Sequence, residues 1–403
     1  MIPLRAKSIS AELSGDLSRT VWRLSPSGRP EHDPVGCAAL IGPGDQAIEG
    51  FGLYVCMPGM SLAGTGRSYV ELPEELSYLS PGDILSVSTD GRRLHVLWRH
   101  LSGQNSILLT ERCDHYCLMC SQPPRQVDDD WLLAQAFEVM RLLPPHTNQI
   151  GFTGGEPTMY EERLFELLRL ARDQAPDAGI HVLSNGRRFH DLDFATGWAE
   201  IDNPNMMVGI PIYGAEPTLH DYVVQAHGAF DETVRGILNL GRLDQRIEIR
   251  VVIHKQTAPY LVDIAEFIAR NLPFVDQVAL MGLEMIGLAR ANMETVWIDP
   301  IDYRDELAEA VMLLSRRRIK TMVYNHQLCL TDRRVWPYTV KSISDWKNEY
   351  HPECLNCSVR DDCGGFFFAS KYRMSDSIQA IPEAQQAGLG PRARHPEAHF
   401  APS

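Results

Sequence analysis

No apolar run in this 403-residue chain approaches the length of a membrane-crossing helix. The N-terminus, Met1-Ile-Pro-Leu-Arg-Ala-Lys7, lacks the apolar core of a signal peptide. Positive charge is in short supply. The chain has 38 Lys and Arg against 52 Asp and Glu, a formal charge of −14. That balance argues against nucleic-acid binding through a global basic field and leaves local basic patches open. No internal repeat is visible. Hydrophobic content of 44% and charged content of 22% are those of an ordinary soluble globular protein, and the length suggests two or three domains. Cysteine, by contrast, is plentiful. Nine cysteines without a secretion signal point to metal sites in a reducing cytoplasm rather than to disulfides.

Three of them, Cys113, Cys117 and Cys120, stand as Cys-x3-Cys-x2-Cys directly after the apolar run Ser106–Thr110. Three thiolates from one loop can hold three irons of a [4Fe–4S] cluster and leave the fourth iron open for a ligand. Cys117-x2-Cys120 alone would also suit half of a zinc site or a redox pair. The context adds a second feature. A helical pattern over Asp130–Leu143, with Leu133, Phe137 and Met140 at helical spacing, is stopped by Pro144-Pro145. A strand, Gln149–Thr153, then runs into Gly154-Gly155-Glu156-Pro157, about 33 residues beyond the cysteines. Paired glycines at a strand end let backbone approach a ligand closely.

Together these segments resemble the radical S-adenosylmethionine (SAM) superfamily. The resemblance implies that Cys113, Cys117 and Cys120 ligate the cluster, and that the open iron chelates the amino and carboxylate groups of SAM. It places Gly154, Gly155 and Glu156 at the SAM amino group. Met119 stands where an aromatic residue is common; it is apolar and suited to shield the cluster or pack on the adenine. The implied reaction is reductive cleavage of SAM to a 5′-deoxyadenosyl radical that takes a hydrogen atom from the substrate.

From about residue 106 strand and helix patterns alternate. Strands are expected near Ser106–Thr110, Gln149–Thr153, Ile180–Ser184, Met206–Tyr213, Ile247–His254 and Gln277–Glu284, with helices such as Glu162–Gln174, Phe230–Leu243 and Leu261–Leu272 between them. Asp231 is a candidate cap for the second of these helices. Six such units suggest an α/β fold with parallel strands, a partial (β/α)6 barrel, with chemistry at the C-terminal strand ends. The resemblance implies the same architecture. It suggests Ser184 and Asn185 as contacts to the SAM ribose or carboxylate, with an ordinary Asn-Gly turn as the rival reading. Glu248, Arg250 and His254 alternate with Ile247, Ile249, Val251 and Ile253, which points them into the barrel. Arg250 there suits either SAM or a substrate carboxylate, or an ion pair with Glu248. Gly287 through Ala289 are weak candidates for the adenine. Tyr213, His220 and Asp221 lie where a substrate would approach, and each singly reads as structural.

A second group, Cys354-x2-Cys357-x5-Cys363, follows Cys329 by 25 residues. Four thiolates can close a metal site completely. A second [4Fe–4S] cluster and a structural zinc are both open. The spacing resembles part of the auxiliary-cluster domain of peptide-modifying radical SAM enzymes, but Phe367 stands where a further cysteine is expected. Cys37 and Cys56 remain as buried structural thiols. The segments 209–214, 281–284, 324–329 and 342–348, together with the Cys354–Gly365 block, resemble the C-type maturase of the His-Xaa-Ser system. That resemblance implies a ribosomally made peptide substrate, a second radical SAM maturase as partner, and an electron donor such as flavodoxin or ferredoxin. Two rivals stand beside it: a radical SAM enzyme acting on a small molecule or activating another enzyme, and a non-catalytic metal-binding partner.

The expected organisation is a β-rich domain over 1–100, a radical SAM barrel over 101–318, an auxiliary-cluster region over 319–380 and a disordered tail over 381–403, with His395 and His399 solvated. The first domain suits either strand addition of a peptide or partner, or simple coverage of the barrel. A cytoplasmic protein that binds neither membrane nor nucleic acid is expected.

Overall fold

The computed structural model describes residues 3–13, 17, 19–26, 36–144, 146–341 and 349–383. Pro145, the 342–348 segment and the tail with His395 and His399 lie outside the described residues. The chain divides into two compact units. One comprises Met1–Ile107, Asp130–Ile150 and Leu167–Ala178; the other comprises Leu108–Asp129, Gly151–Glu166 and Gly179–Ser403.

The first unit is built on eight short strands. They are β1 (Arg5–Lys7), β2 (Ala11–Glu12), β3 (Val21–Pro26), β4 (Cys37–Ile41), β5 (Tyr54–Cys56), β6 (Tyr69–Glu71), β7 (Ile84–Val87) and β8 (Arg93–Trp98). Their order is β1-β8-β7-β3-β4-β5-β6-β2, so β1 and β2 form opposite ends of the sheet. Yet only four steps of chain lead from Lys7 to Ala11, a reach of at most ~14 Å. Eight flat strands would hold those ends about 34 Å apart. The sheet must therefore curl on itself. The hydrogen bonds confirm it: Ser8 N–H donates to Arg92 O (3.1 Å) and the next residue, Ile9, donates to Glu71 O (3.0 Å). One segment thus covers both edges, and strand addition finds neither of them bare. Leu24, Leu53, Val55, Leu72, Leu76 and Leu85 fill the interior. Cys37 and Cys56 are buried in a second apolar cluster with Tyr54 and Tyr69.

The remaining strands are β9 (Ser106–Leu108), β10 (Gln149–Thr153), β11 (Gly179–Leu183), β12 (Met206–Pro211), β13 (Arg246–Ile253), β14 (Gln277–Gly282) and β15 (Lys320–Tyr324), which form one sheet in the order β15-β14-β13-β12-β11-β10-β9. From β11 to β15 all pairs are parallel. The helices are α1 (Asp130–Arg141), α2 (Glu162–Gln174), α3 (Leu192–Ala199), α4 (Pro217–Val224), α5 (Ala229–Arg242), α6 (Leu261–Asn271), α7 (Gly287–Ala291), α8 (Met293–Val296) and α9 (Arg304–Arg316). The α/β class and the six expected strands are present. A seventh, β15, extends the sheet inside the stretch expected to form the cysteine-rich region. Its sequence, Lys-Thr-Met-Val-Tyr, opens on a charged and a polar residue, so no clear apolar run marks it as a barrel strand. The sixth strand stops at Gly282, so Glu284 lies beyond it.

The expected cap on α5 is corrected. Asp231 sits inside the first turn, and the N-cap is Gly228 at φ +74°. The capping carboxylate comes instead from α4, where Asp221 accepts from Gly228 N–H (2.6 Å) and Phe230 N–H (2.8 Å). Among the described residues no helix is long and apolar enough to cross a membrane.

Candidate active site

Thr110 follows β9 and opens the loop that carries Cys113, Cys117 and Cys120. At its start the buried Asp129 carboxylate accepts from Thr110 Oγ1 (2.9 Å) and Glu111 N–H (2.5 Å) and pairs with Arg112 Nε (3.0 Å). The Arg112 guanidinium also lies over the Tyr160 ring, 5.1 Å from its centroid. The strand end beside it adds two bonds: Gly155 N–H and Glu156 N–H donate to Thr110 O and Arg112 O, each at 2.8 Å. The last turn of α4 holds the middle, with Tyr116 N–H on Val224 O (3.0 Å) and Leu118 N–H on Val223 O (2.9 Å). The segment after β14 holds the end. Leu288 N–H donates to Cys120 O (2.8 Å), and Asn292 Nδ2 donates to Leu118 O (2.8 Å).

Two of these contacts demand glycine. A Cβ on Gly155 would stand 2.1 Å from Arg112 O, and one on Gly287 2.4 Å from Cys120 O, where φ is +57°. Gly287, considered for the adenine, is thus placed against the backbone of the cysteine loop.

Burial raises the three thiols, Cys113 to about 12, and for Cys117 the neighbouring Cys120 and Cys113 thiolates add to it. Such thiols hold their protons at neutral pH until a metal displaces them. Among the described residues no three His, Cys, Asp or Glu side chains converge as the ligands of a single metal ion do. A cluster spreads its thiolates over separate irons, which the Cys-x3-Cys-x2-Cys spacing allows. His115, inside the loop, is buried with neither ring nitrogen bonded to protein.

Glu156 is buried, and its carboxylate accepts from Thr158 N–H (3.0 Å), Thr158 Oγ1 (2.7 Å), Ser184 Oγ (2.8 Å) and Asn185 N–H (2.6 Å). Burial raises its carboxyl pKa, and those donors pull it part of the way back. The side chain thus ties the end of β10 to the end of β11. Asn185 is committed as well: Nδ2 donates to Asp114 Oδ1 (2.6 Å), and Oδ1 accepts from Arg187 N–H (3.0 Å). Arg187 links Asp114 (3.2 Å) to Glu232 (2.6 Å).

On β13, Arg250 pairs with the buried Glu248 (2.6 Å), which also meets His181 (3.5 Å) and Gln277. Burial alone would raise the Glu248 carboxyl; Arg250, His181 and Gln277 together outweigh it and hold the pKa below the usual range. His254 lies past the strand, its Nδ1 accepting from Gln256 N–H (3.2 Å). His220 Nδ1 accepts from Tyr213 N–H (3.2 Å), a structural use.

The second cysteine group comes together. Cys329, Cys354, Cys357 and Cys363 line one small cavity with Tyr350 and Ile381. Leu328 N–H points to Cys363 Sγ and Ile381 N–H to Cys357 Sγ, both at 3.5 Å. Burial raises the Cys329 thiol to about 11.

The sequence reading missed Asp129, Arg112 and Asn292. Asp129 sits in the run Asp128–Asp130 before a helix, where an acid reads as a cap. Asn292 acts on a carbonyl 174 residues away, and no local pattern marks it.

Residues 107–268 match the model of the Radical SAM superfamily. The chain carries a radical SAM domain. The groups such a domain implies, a [4Fe–4S] cluster and SAM, fit the residues present: three thiols spaced for separate irons, an unbonded buried imidazole among them, and a glycine pair pressed against the loop. The chain is similar in sequence to Fe-coproporphyrin III synthase of Methanosarcina barkeri, 26% identical over 200 residues that cover 47% of this chain and 48% of that protein. Among solved structures the chain resembles anSMEcpe with bound AdoMet (TM-score 0.47, 15% identity, 69% of this chain and 92% of that one). It also resembles Streptococcus suis SuiB bound to precursor peptide SuiA (TM-score 0.41, 15% identity, 54% and 48%). The chain spans about half the length of the coproporphyrin enzyme and of SuiB.

Proposed function

We propose that this chain is a radical SAM enzyme that modifies a ribosomally made peptide, in the manner of the His-Xaa-Ser system. The observation that carries the chemistry is the cysteine loop, fixed at four points beside Gly154-Gly155-Glu156. Cys113, Cys117 and Cys120 would hold the cluster and leave one iron for SAM. When bound, the two groups supply reductive cleavage of the sulfonium and hydrogen-atom abstraction from an unactivated C–H. The chain's own part is positional. Gly155 N–H and Glu156 N–H are spent on the loop, so the SAM ammonium, a donor, is served by carbonyls of the Gly154-Gly155 pair. Glu156 fixes that pair relative to Ser184 and Asn185. Arg250, held by Glu248, gives the barrel interior a fixed positive group near the strand ends.

The Cys329, Cys354, Cys357 and Cys363 cavity would take a second [4Fe–4S] cluster. Four thiols suffice to ligate such a cluster completely, and their spacing resembles part of the auxiliary-cluster domain of peptide-modifying radical SAM enzymes. With every iron ligated by protein it would pass electrons rather than bind substrate.

Peptide substrate is supported by the likeness of segments 209–214, 281–284 and 324–329 to the C-type maturases. The sequence similarity to Fe-coproporphyrin III synthase favours a second reading, a small-molecule substrate. Coexpression with a His-Xaa-Ser precursor and a second maturase separates them. A precursor mass change that needs Cys113, Cys117 and Cys120, and that disappears when the leader is deleted, supports the peptide. An unmodified precursor beside converted coproporphyrin supports the small molecule.

A further inference from the structure

Residues 379–381 lie against the second cysteine set, and Gln379 and Ile381 both line its cavity. The Gln379 backbone N–H bonds to the Cys329 thiol. Two residues on, Ile381 N–H donates to Cys357 Sγ (3.5 Å). One short segment thus reaches two of the four thiols. Its anchorage is specific. Ile381 O accepts from both Ser358 N–H (2.9 Å) and Ser358 Oγ (2.7 Å), so both polar backbone groups of Ile381 are committed to Cys357-Ser358. The Ile381 side chain is 6% exposed. It joins Leu328, Trp336 and Val359 in an apolar cluster against which Cys329, Cys357 and Cys363 pack.

We propose that residues 379–381 form a strap over the second cysteine set, which holds the bound metal against exchange and keeps solvent from it. The proposal rests on the reading of Cys329, Cys354, Cys357 and Cys363 as metal ligands, and it holds whether that metal is iron or zinc. A chain segment that merely packed down would bury its apolar side chain without aiming two N–H groups at sulfur. Those N–H groups gain strength when the thiol becomes a metal-bound thiolate, because the acceptor is then charged. Ile381 is the latch. Metal leaves as thiolates let go and a competing ligand reaches it, and a docked Ile381 opposes both steps. Gln379, Ile381 and Ser358 are positioning residues here, since they act on the metal through its thiolates.

The test uses the full chain with Cys113→Ala/Cys117→Ala/Cys120→Ala, so that bound metal sits in the second set. This parent is loaded anaerobically with iron and sulfide, desalted, and counted for iron and zinc. Excess bathophenanthroline for iron, or pyridylazoresorcinol for zinc, then reports release by colour. Ile381→Asp puts a charge into the apolar cluster and is expected to speed release about tenfold or more, the usual size of an outer-shell effect. Ser358→Ala removes one of the two bonds to Ile381 O and should speed release roughly fivefold, the equivalent of one net hydrogen bond. Ile381→Val keeps the latch and should release at the parent rate. Circular dichroism at the assay temperature checks that each variant is folded; should Ile381→Asp fail to fold, Ile381→Ala takes its place with the same direction of change. Release at the parent rate from the folded Ile381 variant and from Ser358→Ala overturns the strap and leaves the metal site standing. A parent that takes up no metal overturns both before any chelator is added. Nucleoside formation plays no part in the readout, so the enzyme reading is tested apart.

Discussion

Glu156 shows how a side chain can matter to a cofactor without touching it. Its carboxylate meets only donors: two from Thr158, one from Ser184 and one from the Asn185 backbone. Glu156→Gln puts an amide NH2 against that set, so one donor faces another in a buried site, at a cost of about 1–3 kcal/mol. SAM affinity, followed by equilibrium dialysis, should fall at least tenfold while iron content holds. Equal SAM affinity would mean the brace is not needed. Arg250 is the second case. Arg250→Met leaves Glu248 buried beside only His181 and Gln277, and should cost roughly 3–5 kcal/mol in urea unfolding. The sign with pH follows from the depressed Glu248 pKa. The pair's stabilisation is present above the ordinary value of 4.5 and is lost as pH falls through the lower folded value. Wild type and variant should therefore converge in stability at acid pH; a constant gap would argue against the pair.

At the scale of elements, the cysteine loop is a short segment with no helix or strand of its own. Its shape comes from its neighbours: Asp129, the end of β10, the end of α4 and the segment after β14. Gly287→Ala tests the last of these. The new Cβ, 2.4 Å from Cys120 O, must push the loop or the α7 segment aside. A misplacement near 1 Å is enough for about a hundredfold loss of turnover, with iron retention on gel filtration reduced as well. Wild-type turnover would show that the contact yields cheaply. What could be read in the sequence divides along the same line. Cys-x3-Cys-x2-Cys and Gly-Gly-Glu-Pro are visible because their chemistry is local to a few residues. The strands before them show as apolar runs. The grips on the loop are hard to see, because Asn292 and Leu288 reach back across most of the domain, Leu288 through a backbone N–H. β15 was hidden by the lack of a clear apolar run, and the cap on α5 by the nearer Asp231.

At the scale of the whole molecule, two sets of cysteines, one of three and one of four, are gathered in the second unit. The first unit is a small sheet closed by its own N-terminal segment, with both edges taken. A partner would meet its loops or faces rather than extend its strands. The central claim is that the first cysteine set supports SAM cleavage and that the second holds iron as well. The most direct measurement is anaerobic. The chain is reconstituted with iron and sulfide, iron and zinc are counted, and 5′-deoxyadenosine is assayed with dithionite and SAM beside the Cys113→Ala/Cys117→Ala/Cys120→Ala variant. The account predicts about eight irons per chain, from two four-iron clusters, about four in the variant, and nucleoside only from the unmutated chain. A chain that loads its iron, meets its peptide and its partner maturase, and still forms no nucleoside would contradict it.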